Sequence, residues 1–228
     1  MLQENLARVE ERIVQACRKA GRSRREIILV AVTKVFPASA IRDAYALGLR
    51  EFGENYVQEF EGKHPEVADL EGARFHLIGH LQSNKSRRAA ELFSVIQTVD
   101  SAKLARKLDE TGAPLEIMLE VKLSEEESKY GAAPETVAAL AAAVRQCSHL
   151  RLSGLMTMPP WCEDAEQSRP YFRRLRQLAE AVQLPGESMA LSMGMSHDFE
   201  AAIEEGATHI RVGTALFGKR KLPQGEAP

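Results

Sequence analysis

One lysine stands where its residue type and its position could support chemistry. Lys34 follows Ile27–Thr33, an apolar run (IILVAVT) rich in β-branched residues, which is typical of a buried strand. Burial disfavours the charged ammonium, and a neutral amine in a sheltered pocket can form a Schiff base with an aldehyde. The other interpretation is a lysine whose stem packs on apolar surface while its ammonium reaches solvent. Position alone favours this second interpretation.

The segment SMGMS, which begins at Ser192, has the composition of a phosphate-binding turn. We expect Ser192, Gly194 and Ser196 to lie where a strand turns into a helix, so that exposed N–H groups and hydroxyls would bind a phosphate. Helix capping by Ser196 is an equally good interpretation. Asp198 and Glu200 lie in the same first turn and would repel a phosphate unless they point away from it.

The segment RVGT, which begins at Arg211, would complete such a site. Barrel proteins often bind phosphate with the loops after their last two strands, and Gly213 and Thr214 follow the last apolar run here. Arg211 shares a strand face with Gly213 because side chains alternate along a strand. If that face lines the barrel, a guanidinium lies beneath the phosphate site; the other interpretation is a surface arginine.

These residues need a scaffold, and the chain predicts one of alternating strands and helices. An amphipathic helix covers about residues 2–20, and eight strand–helix units of about 20–30 residues follow it. Such alternation predicts parallel strands with right-handed crossovers, and eight units favour a (β/α)8 barrel of the α/β class. The predicted strands cover residues 27–33, 50–53, 74–79, 94–99, 115–123, 151–158, 188–193 and 209–212.

A barrel predicts where the site lies, because active sites form at the C-terminal ends of barrel strands. The alternative fold is an open, doubly wound sheet, but no G-x-G-x-x-G follows the first strand. We assign residues 1–228 to one domain, with the barrel over about 27–218 and a C-terminal tail over 219–228.

Composition excludes several classes of protein. The chain has 228 residues, 44% of them hydrophobic, and a formal net charge of -2, which argues against a dedicated nucleic-acid binder. No apolar run reaches the ~20 residues of a membrane span. The three cysteines are scattered and the six histidines lack ligand spacing, so we expect no metal site, no disulfide framework and a cytoplasmic location.

Six segments in order resemble one known family. They read AVTKVFPASAI, FGENYVQE, FHLIGHLQSNKS, GLMTMP, LSMGMSHDFEAAI and HIRVGTALFG. Together they look like the pyridoxal 5'-phosphate (PLP) homeostasis protein family, also called the alanine racemase N-terminal-like family. The resemblance covers nearly the whole chain and implies a monomeric fold-type III barrel that binds PLP.

The resemblance also implies a role for each site residue. The lysine that holds the cofactor as a Schiff base maps onto Lys34, and the arginine facing the pyridine nitrogen maps onto Arg211. The remaining positions match phosphate contacts or residues near the cofactor: Ser192, Ser196, Gly213 and Thr214 for the phosphate, and Asn55 and Met156 near the ring. The roles of His76, Lys85 and Lys129 stay open.

The implied function is a PLP carrier without turnover. Arg211 would leave the ring nitrogen unprotonated and weaken the ring as an electron sink. The second acid/base group of racemases resembles a tyrosine from an added domain that this chain lacks, and nothing in the sequence positions Tyr56 or Tyr130 as substitutes. We therefore expect reversible PLP binding, with transient delivery to PLP-dependent apoenzymes and no membrane or nucleic-acid partner.

Two alternatives remain open at this point. The first is a weakly active fold-type III amino-acid racemase, in which Lys34 would serve as one acid/base group. The second is a barrel enzyme that acts on a phosphorylated metabolite without PLP, since it would share the phosphate site.

Overall fold

The computed structural model describes residues 1–124 and 130–218, and eight parallel strands lie at its centre. Every strand is short and largely buried, because helices cover the outer face of the sheet and side chains fill the interior. The strands are β1 (Ile28–Val32), β2 (Glu51–Glu54), β3 (Arg74–Leu77), β4 (Val95–Val99), β5 (Leu115–Glu120), β6 (Leu150–Met156), β7 (Ala190–Met195) and β8 (His209–Val212).

The strands close into a barrel. Each pairs with the next along the chain, and β8 returns to pair with β1. Ala31, for example, is opposite Phe52 on β2 and opposite Val212 on β8. The predicted (β/α)8 barrel is therefore confirmed, and the open doubly wound alternative is wrong.

A helix follows each strand in the described part of the chain, and one more precedes β1. Ser101 caps its helix as its sequence position predicts, accepting a hydrogen bond from the N–H of Leu104 at 3.3 Å. The helices are α1 (Leu2–Lys19), α2 (Ala38–Ala46), α3 (Val57–Lys63), α4 (Ser86–Leu92), α5 (Ala102–Asp109), α6 (Val137–Arg145), α7 (Arg169–Val182), α8 (Phe199–Glu204) and α9 (Thr214–Phe217).

The N-terminal helix α1 packs along the last two strand–helix units of the barrel. Since α9 has only four residues, α1 packs beside it and against α8. Asn5 donates to the carbonyl of Leu216 at 2.7 Å, and Arg22, just after α1, donates to the carbonyl of Ala207 at 2.7 Å. The additional helix is thus part of the wall behind the last two strands.

The largest correction to the predicted elements concerns β7. We expected a strand over 188–193 followed by a turn, but β7 runs from Ala190 to Met195. Its pairing with β8 shifts register between Ser192 and Met195, which is the mark of a β-bulge. Ser192 lies inside the strand, within the predicted bounds, whereas Gly194 and Met195 belong to the strand and not to the turn.

Two predicted features lie outside the described residues, namely Lys129 and the tail over 219–228. The assignment of all 228 residues to one domain accordingly stays a prediction. Among the helices in residues 1–124 and 130–218, none combines the length and the hydrophobicity needed to cross a bilayer.

Candidate functional site

Lys34 lies at the C-terminal rim of the barrel, in a turn that we call the lysine turn (residues 33–36). The N–H of Phe36 donates to the carbonyl of Thr33 at 3.0 Å and closes the turn. The N–H of Thr33 donates to the carbonyl of Gly53 at 2.9 Å, which fastens the turn to β2. Lys34 is half-buried, so its stem is partly sheltered, as expected for a lysine at the end of a buried strand.

The loop after β8 lies on the same rim. A Cβ atom built on Gly213 would lie 3.4 Å from the carbonyl oxygen of Val32, two residues before Lys34. This approach follows from the pairing of β8 with β1. The structure thus brings the lysine turn and the β8 loop to one end of the barrel.

Ser196 joins the loops after β7 and β8. Its Oγ accepts hydrogen bonds from the N–H of Gly213 at 3.3 Å and from the N–H of Ala215 at 3.2 Å. Ser196 does not cap α8, so that interpretation is wrong. Two backbone donors and a hydroxyl therefore converge at one point, which is a donor set suited to a phosphate. Thr214, between the two donors, is exposed.

The turn after β7 depends on one glycine. Gly194 has a φ of +90°, and a Cβ there would lie 2.5 Å from the Cβ of Ala202 on α8. The carboxylate of Asp198 accepts a hydrogen bond from the N–H of Met195 at 2.7 Å and fixes the turn. Gly194 therefore allows α8 to pack closely beneath the end of β7.

The carboxylate of Glu200, one of the two acidic residues near the predicted phosphate site, is paired with an arginine. Glu200 is bound by the guanidinium of Arg12 from α1, with N–O distances of 2.6 and 2.9 Å. Arg12 also donates to the carbonyl of Ser196 at 3.2 Å and lies over the ring of Phe199. An arginine of the N-terminal helix thus neutralises the carboxylate beside the predicted phosphate site.

Arg211 points into the barrel, as the strand alternation predicts. It is almost wholly buried and donates to Ser192 Oγ at 2.8 Å and to the carbonyl of Thr157 at 2.9 Å. Burial lowers the pKa of Arg211 to about 10, so the guanidinium stays cationic at neutral pH. The surface-arginine interpretation is wrong.

A chain of hydrogen bonds, which we call the polar chain, extends from Arg211 across the barrel interior. Ser192 Oγ lies 2.6 Å from Gln97 Oε1, Gln97 Nε2 lies 2.8 Å from His76 Nδ1, and His76 Nε2 lies 2.5 Å from a carboxylate oxygen of Glu51. Because arginine only donates, Ser192 must accept from it and donate to Gln97. Gln97 then donates to Nδ1 of His76, and Nε2 of His76 donates to Glu51. Every member thus has one fixed orientation.

A buried carboxyl group lies near Arg211. Glu120, at the end of β5, is only 3% exposed, and its Oε2 has no hydrogen-bond partner among the described residues. Burial raises the pKa of Glu120 to about 7; the charge of Asp100 adds to this rise and that of Arg211 opposes it. This oxygen needs a donor that the described residues do not supply.

The other predicted residues lie around the same rim. Asn55 follows β2 and lines a cleft of about 440 Å³ together with Met158. Met156 ends β6, is completely buried and pairs with Ser192 on β7. Lys85 lines the same cleft as Asn55.

The two tyrosines weighed as acid/base groups are on this rim and more than half exposed. Tyr130 stacks on the ring of His80, with centroids 3.7 Å apart, and Tyr56 lines the cleft.

Sequence reasoning missed Gln97 and Glu120. Each is a polar residue in a mostly apolar strand (VIQTV and LEIMLE), and such an interruption was the available signal. Thr157 contributes its backbone carbonyl, which no residue type encodes.

Comparison with known proteins agrees with this geometry. Residues 5–221 match the family model described as the alanine racemase, N-terminal domain. The chain is 50% identical to the pyridoxal phosphate homeostasis protein of Pseudomonas aeruginosa, over 95% of each chain.

Solved structures of a cyanobacterial protein are similar over the same length. PipY of Synechococcus elongatus without PLP has a TM-score of 0.85 at 40% identity, covering 96% of this chain and 100% of that one. The PLP-bound structure of PipY has a TM-score of 0.83 at 39% identity with the same coverage. The chain therefore belongs to the alanine racemase N-terminal domain family, within its group of pyridoxal phosphate homeostasis proteins.

Proposed function

We propose that this protein binds PLP reversibly through Lys34 and serves PLP homeostasis, buffering or delivering the cofactor without turnover. The observation that carries the proposal is the shared rim: Lys34 at the end of β1 and the donors gathered by Ser196 lie on adjacent loops. The PLP-bound structure of PipY, which is 39% identical over nearly the whole chain, supports the choice of cofactor.

The residues of the rim fit PLP. A phosphate needs convergent donors, and Ser196 with the N–H groups of Gly213 and Ala215 provides them. The carboxyl group of Glu120 lies at the same end of the barrel as the buried guanidinium of Arg211. Its Oε2 has no hydrogen-bond partner among the described residues. PLP supplies an aldehyde that an amine bonds covalently with release of one water, and a ring that withdraws electrons.

Each predicted residue has a role in this proposal. Lys34 bonds the aldehyde, and Arg211 donates to the ring nitrogen. Ser196, Gly213 and Thr214 hold the phosphate, while Asn55 and Met156 border the ring. Ser192 acts through Arg211, because its hydroxyl is already engaged by Arg211 and Gln97.

The chemistry of Arg211 supports a protein without turnover. Its pKa of about 10 keeps it protonated at neutral pH, so it donates to the ring nitrogen and leaves that nitrogen unprotonated. A ring in this state withdraws electrons weakly, which handicaps carbanion chemistry.

A spectral titration tests the binding. We expect the wild-type protein to shift the absorbance spectrum of PLP and Lys34→Ala to leave it like that of free PLP, while the surface control Lys107→Ala behaves like the wild type. A spectral shift that Lys34→Ala retains would assign the bond to another lysine, such as Lys85 or Lys129.

Deuterium exchange tests the absence of turnover. L- and D-amino acids incubated with the PLP-loaded protein in D₂O should keep their Cα hydrogen. Rapid exchange that disappears in Lys34→Ala would instead support the racemase alternative.

The proposal includes a cytoplasmic, monomeric protein that meets PLP-dependent apoenzymes transiently. Sedimentation of the PLP-loaded protein tests the monomer. Recovery of activity by a PLP-dependent apoenzyme, with the loaded protein as the sole source of cofactor, tests delivery.

A further inference from the structure

A buried group of charges lies against the lysine turn. We call Glu54, Glu59 and Lys63 the ion cluster. The ammonium of Lys63 lies 3.1 Å from both carboxylate oxygens of Glu54 and 2.5 Å from Oε1 of Glu59. Lys63 is nine-tenths buried and Glu54 completely so. The function proposed above uses none of these residues.

The ion cluster binds the backbone on both sides of Lys34. Before it, the carbonyl of Thr33 accepts from Lys63 Nζ at 3.0 Å, and Thr33 Oγ1 donates to Glu54 at 2.7 Å. After it, the N–H of Val35 donates to Glu59 Oε1 at 2.6 Å. The backbone positions that flank Lys34 are therefore both held by one set of charges from β2 and α3.

The turn that is held in this way is strained. Val35 has a φ of +60°, in the left-handed region that a β-branched residue rarely occupies. Among residues 1–124 and 130–218 it is the one residue other than glycine with a positive φ. Val35 is more than half exposed, so packing does not impose this conformation. Two hydrogen bonds hold it instead: the N–H of Phe36 donates to the carbonyl of Thr33 and closes the turn, and the N–H of Val35 donates to Glu59.

We propose that Lys63, with Glu54 and Glu59, is a positioning group that holds the lysine turn in its strained conformation and thereby presents the amine of Lys34 to the cofactor aldehyde. The inference rests on the proposed function of Lys34. It assigns a role to a buried ion pair that stability alone does not explain, since an apolar pair of similar volume is often as stable.

The first test compares two substitutions of one side chain. Glu59→Gln keeps an oxygen that accepts from Val35, whereas Glu59→Leu removes it. Lysine reactivity is measured in the cofactor-free protein with a small amine reagent, and the modified residue is located by mass spectrometry. We expect the rate at Lys34 to change about tenfold in Glu59→Leu, because relaxation of a strained residue shifts a conformational equilibrium by that order. Glu59→Gln should lie between the wild type and Glu59→Leu, because a neutral oxygen accepts a weaker hydrogen bond than a carboxylate.

The second test removes the strain. Glycine adopts a φ of +60° without steric cost, so Val35→Gly should restore the orientation of Lys34 when the ion cluster is broken. We expect Lys63→Met to weaken covalent PLP binding about tenfold and the double variant Lys63→Met/Val35→Gly to recover most of it. Lys107→Met is the matched control, because it breaks an exposed lysine–glutamate pair with an N–O distance of 2.6 Å.

The outcomes separate this inference from the proposed function. Equal Lys34 reactivity in wild type, Glu59→Leu and Lys63→Met would overturn the positioning role. If Lys63→Met folds and the double variant binds PLP covalently no more tightly than Lys63→Met does, the link to strain is overturned. If Lys63→Met does not fold, the Glu59 pair decides the question alone. A wild-type protein that forms no bond to PLP at Lys34 would refute the proposed function, whatever the cofactor-free labelling shows.

Discussion

Lys34 follows β1, and Arg211 lies on β8, the strand that pairs with β1. Polar groups support both residues, but the two sets of groups differ in charge. Charges hold the lysine turn: Lys63 lies between Glu54 and Glu59. Beneath Arg211, the hydroxyl of Ser192 and the amide of Gln97 transmit hydrogen bonds to His76, and the chain ends at the carboxylate of Glu51. The lysine turn is strained at Val35, which has a positive φ. In the polar chain, by contrast, each described hydrogen bond joins one donor to one acceptor.

The difference concerns what each support has to do. A strained backbone needs strong partners, and hydrogen bonds to charged groups are about twice as strong as those between neutral groups. Arg211 needs only a fixed orientation. The neutral side chains of Ser192 and Gln97 provide it at a smaller desolvation penalty than charged groups would. We therefore expect the ion cluster to be the more fragile of the two supports.

Breaking the ion cluster should have the largest effect. Lys63→Met leaves the carboxylate of Glu54 buried without its cation, and we expect a loss of about 3–5 kcal/mol in the free energy of unfolding at neutral pH. Burial already raises the pKa of Glu54, and removal of Lys63 raises it further, so the loss should shrink at low pH as Glu54 protonates. Urea denaturation measures it. A loss under about 1 kcal/mol would contradict the comparison.

The pH dependence of stability tests whether Glu120, near Arg211, is a buried carboxyl group that lacks a hydrogen-bond partner. Its folded-state pKa of about 7 lies above the value of 4.5 of an exposed glutamate, so the stability it contributes is complete below pH ~4.5 and is lost as the pH rises through 7. Glu120→Gln should match the wild type near pH 4.5 and exceed its unfolding free energy by up to about 3 kcal/mol at pH 8. A pH-independent difference would show that Glu120 does not titrate in this range.

Interrupting the polar chain should cost less than breaking the ion cluster. Gln97→Leu leaves the hydroxyl proton of Ser192 without its acceptor and Nδ1 of His76 without its donor, and we expect a loss of about 1–3 kcal/mol. The double variant His76→Phe/Gln97→Leu should lose less than the sum of the single variants, because the two residues then no longer leave each other unpaired. Additive losses would mean that the chain does not act as a unit.

The smallest effect is expected at the phosphate end. Ser196→Ala removes the acceptor of two N–H groups and should cost about 1 kcal/mol of stability. PLP should bind several-fold more weakly to this variant, while pyridoxal, which lacks the phosphate, should bind as it does to the wild type. Equal weakening of both ligands would place the phosphate elsewhere.

The barrel followed from the sequence because strictly alternating apolar strands and amphipathic helices admit few topologies. The rim position of Lys34 and the inward direction of Arg211 followed from that barrel. Both depend only on strand ends and on alternation along a strand.

The bulge in β7 did not follow from the sequence, because a single glycine, Gly194, signals a turn as readily as a register shift. The ion cluster was missed for another reason. Lys63 lies at the C-terminal end of α3, where a lysine is ordinary, and only the tertiary structure brings it to Thr33.

The most direct test of the account is to locate the bond to PLP. The wild-type protein is mixed with PLP, reduced with borohydride, digested and analysed by mass spectrometry. We predict a phosphopyridoxyl group on the peptide that contains Lys34, and on no other peptide in comparable amount. A phosphopyridoxyl group found chiefly on Lys85 or Lys129, with Lys34 unmodified, would contradict the central claim.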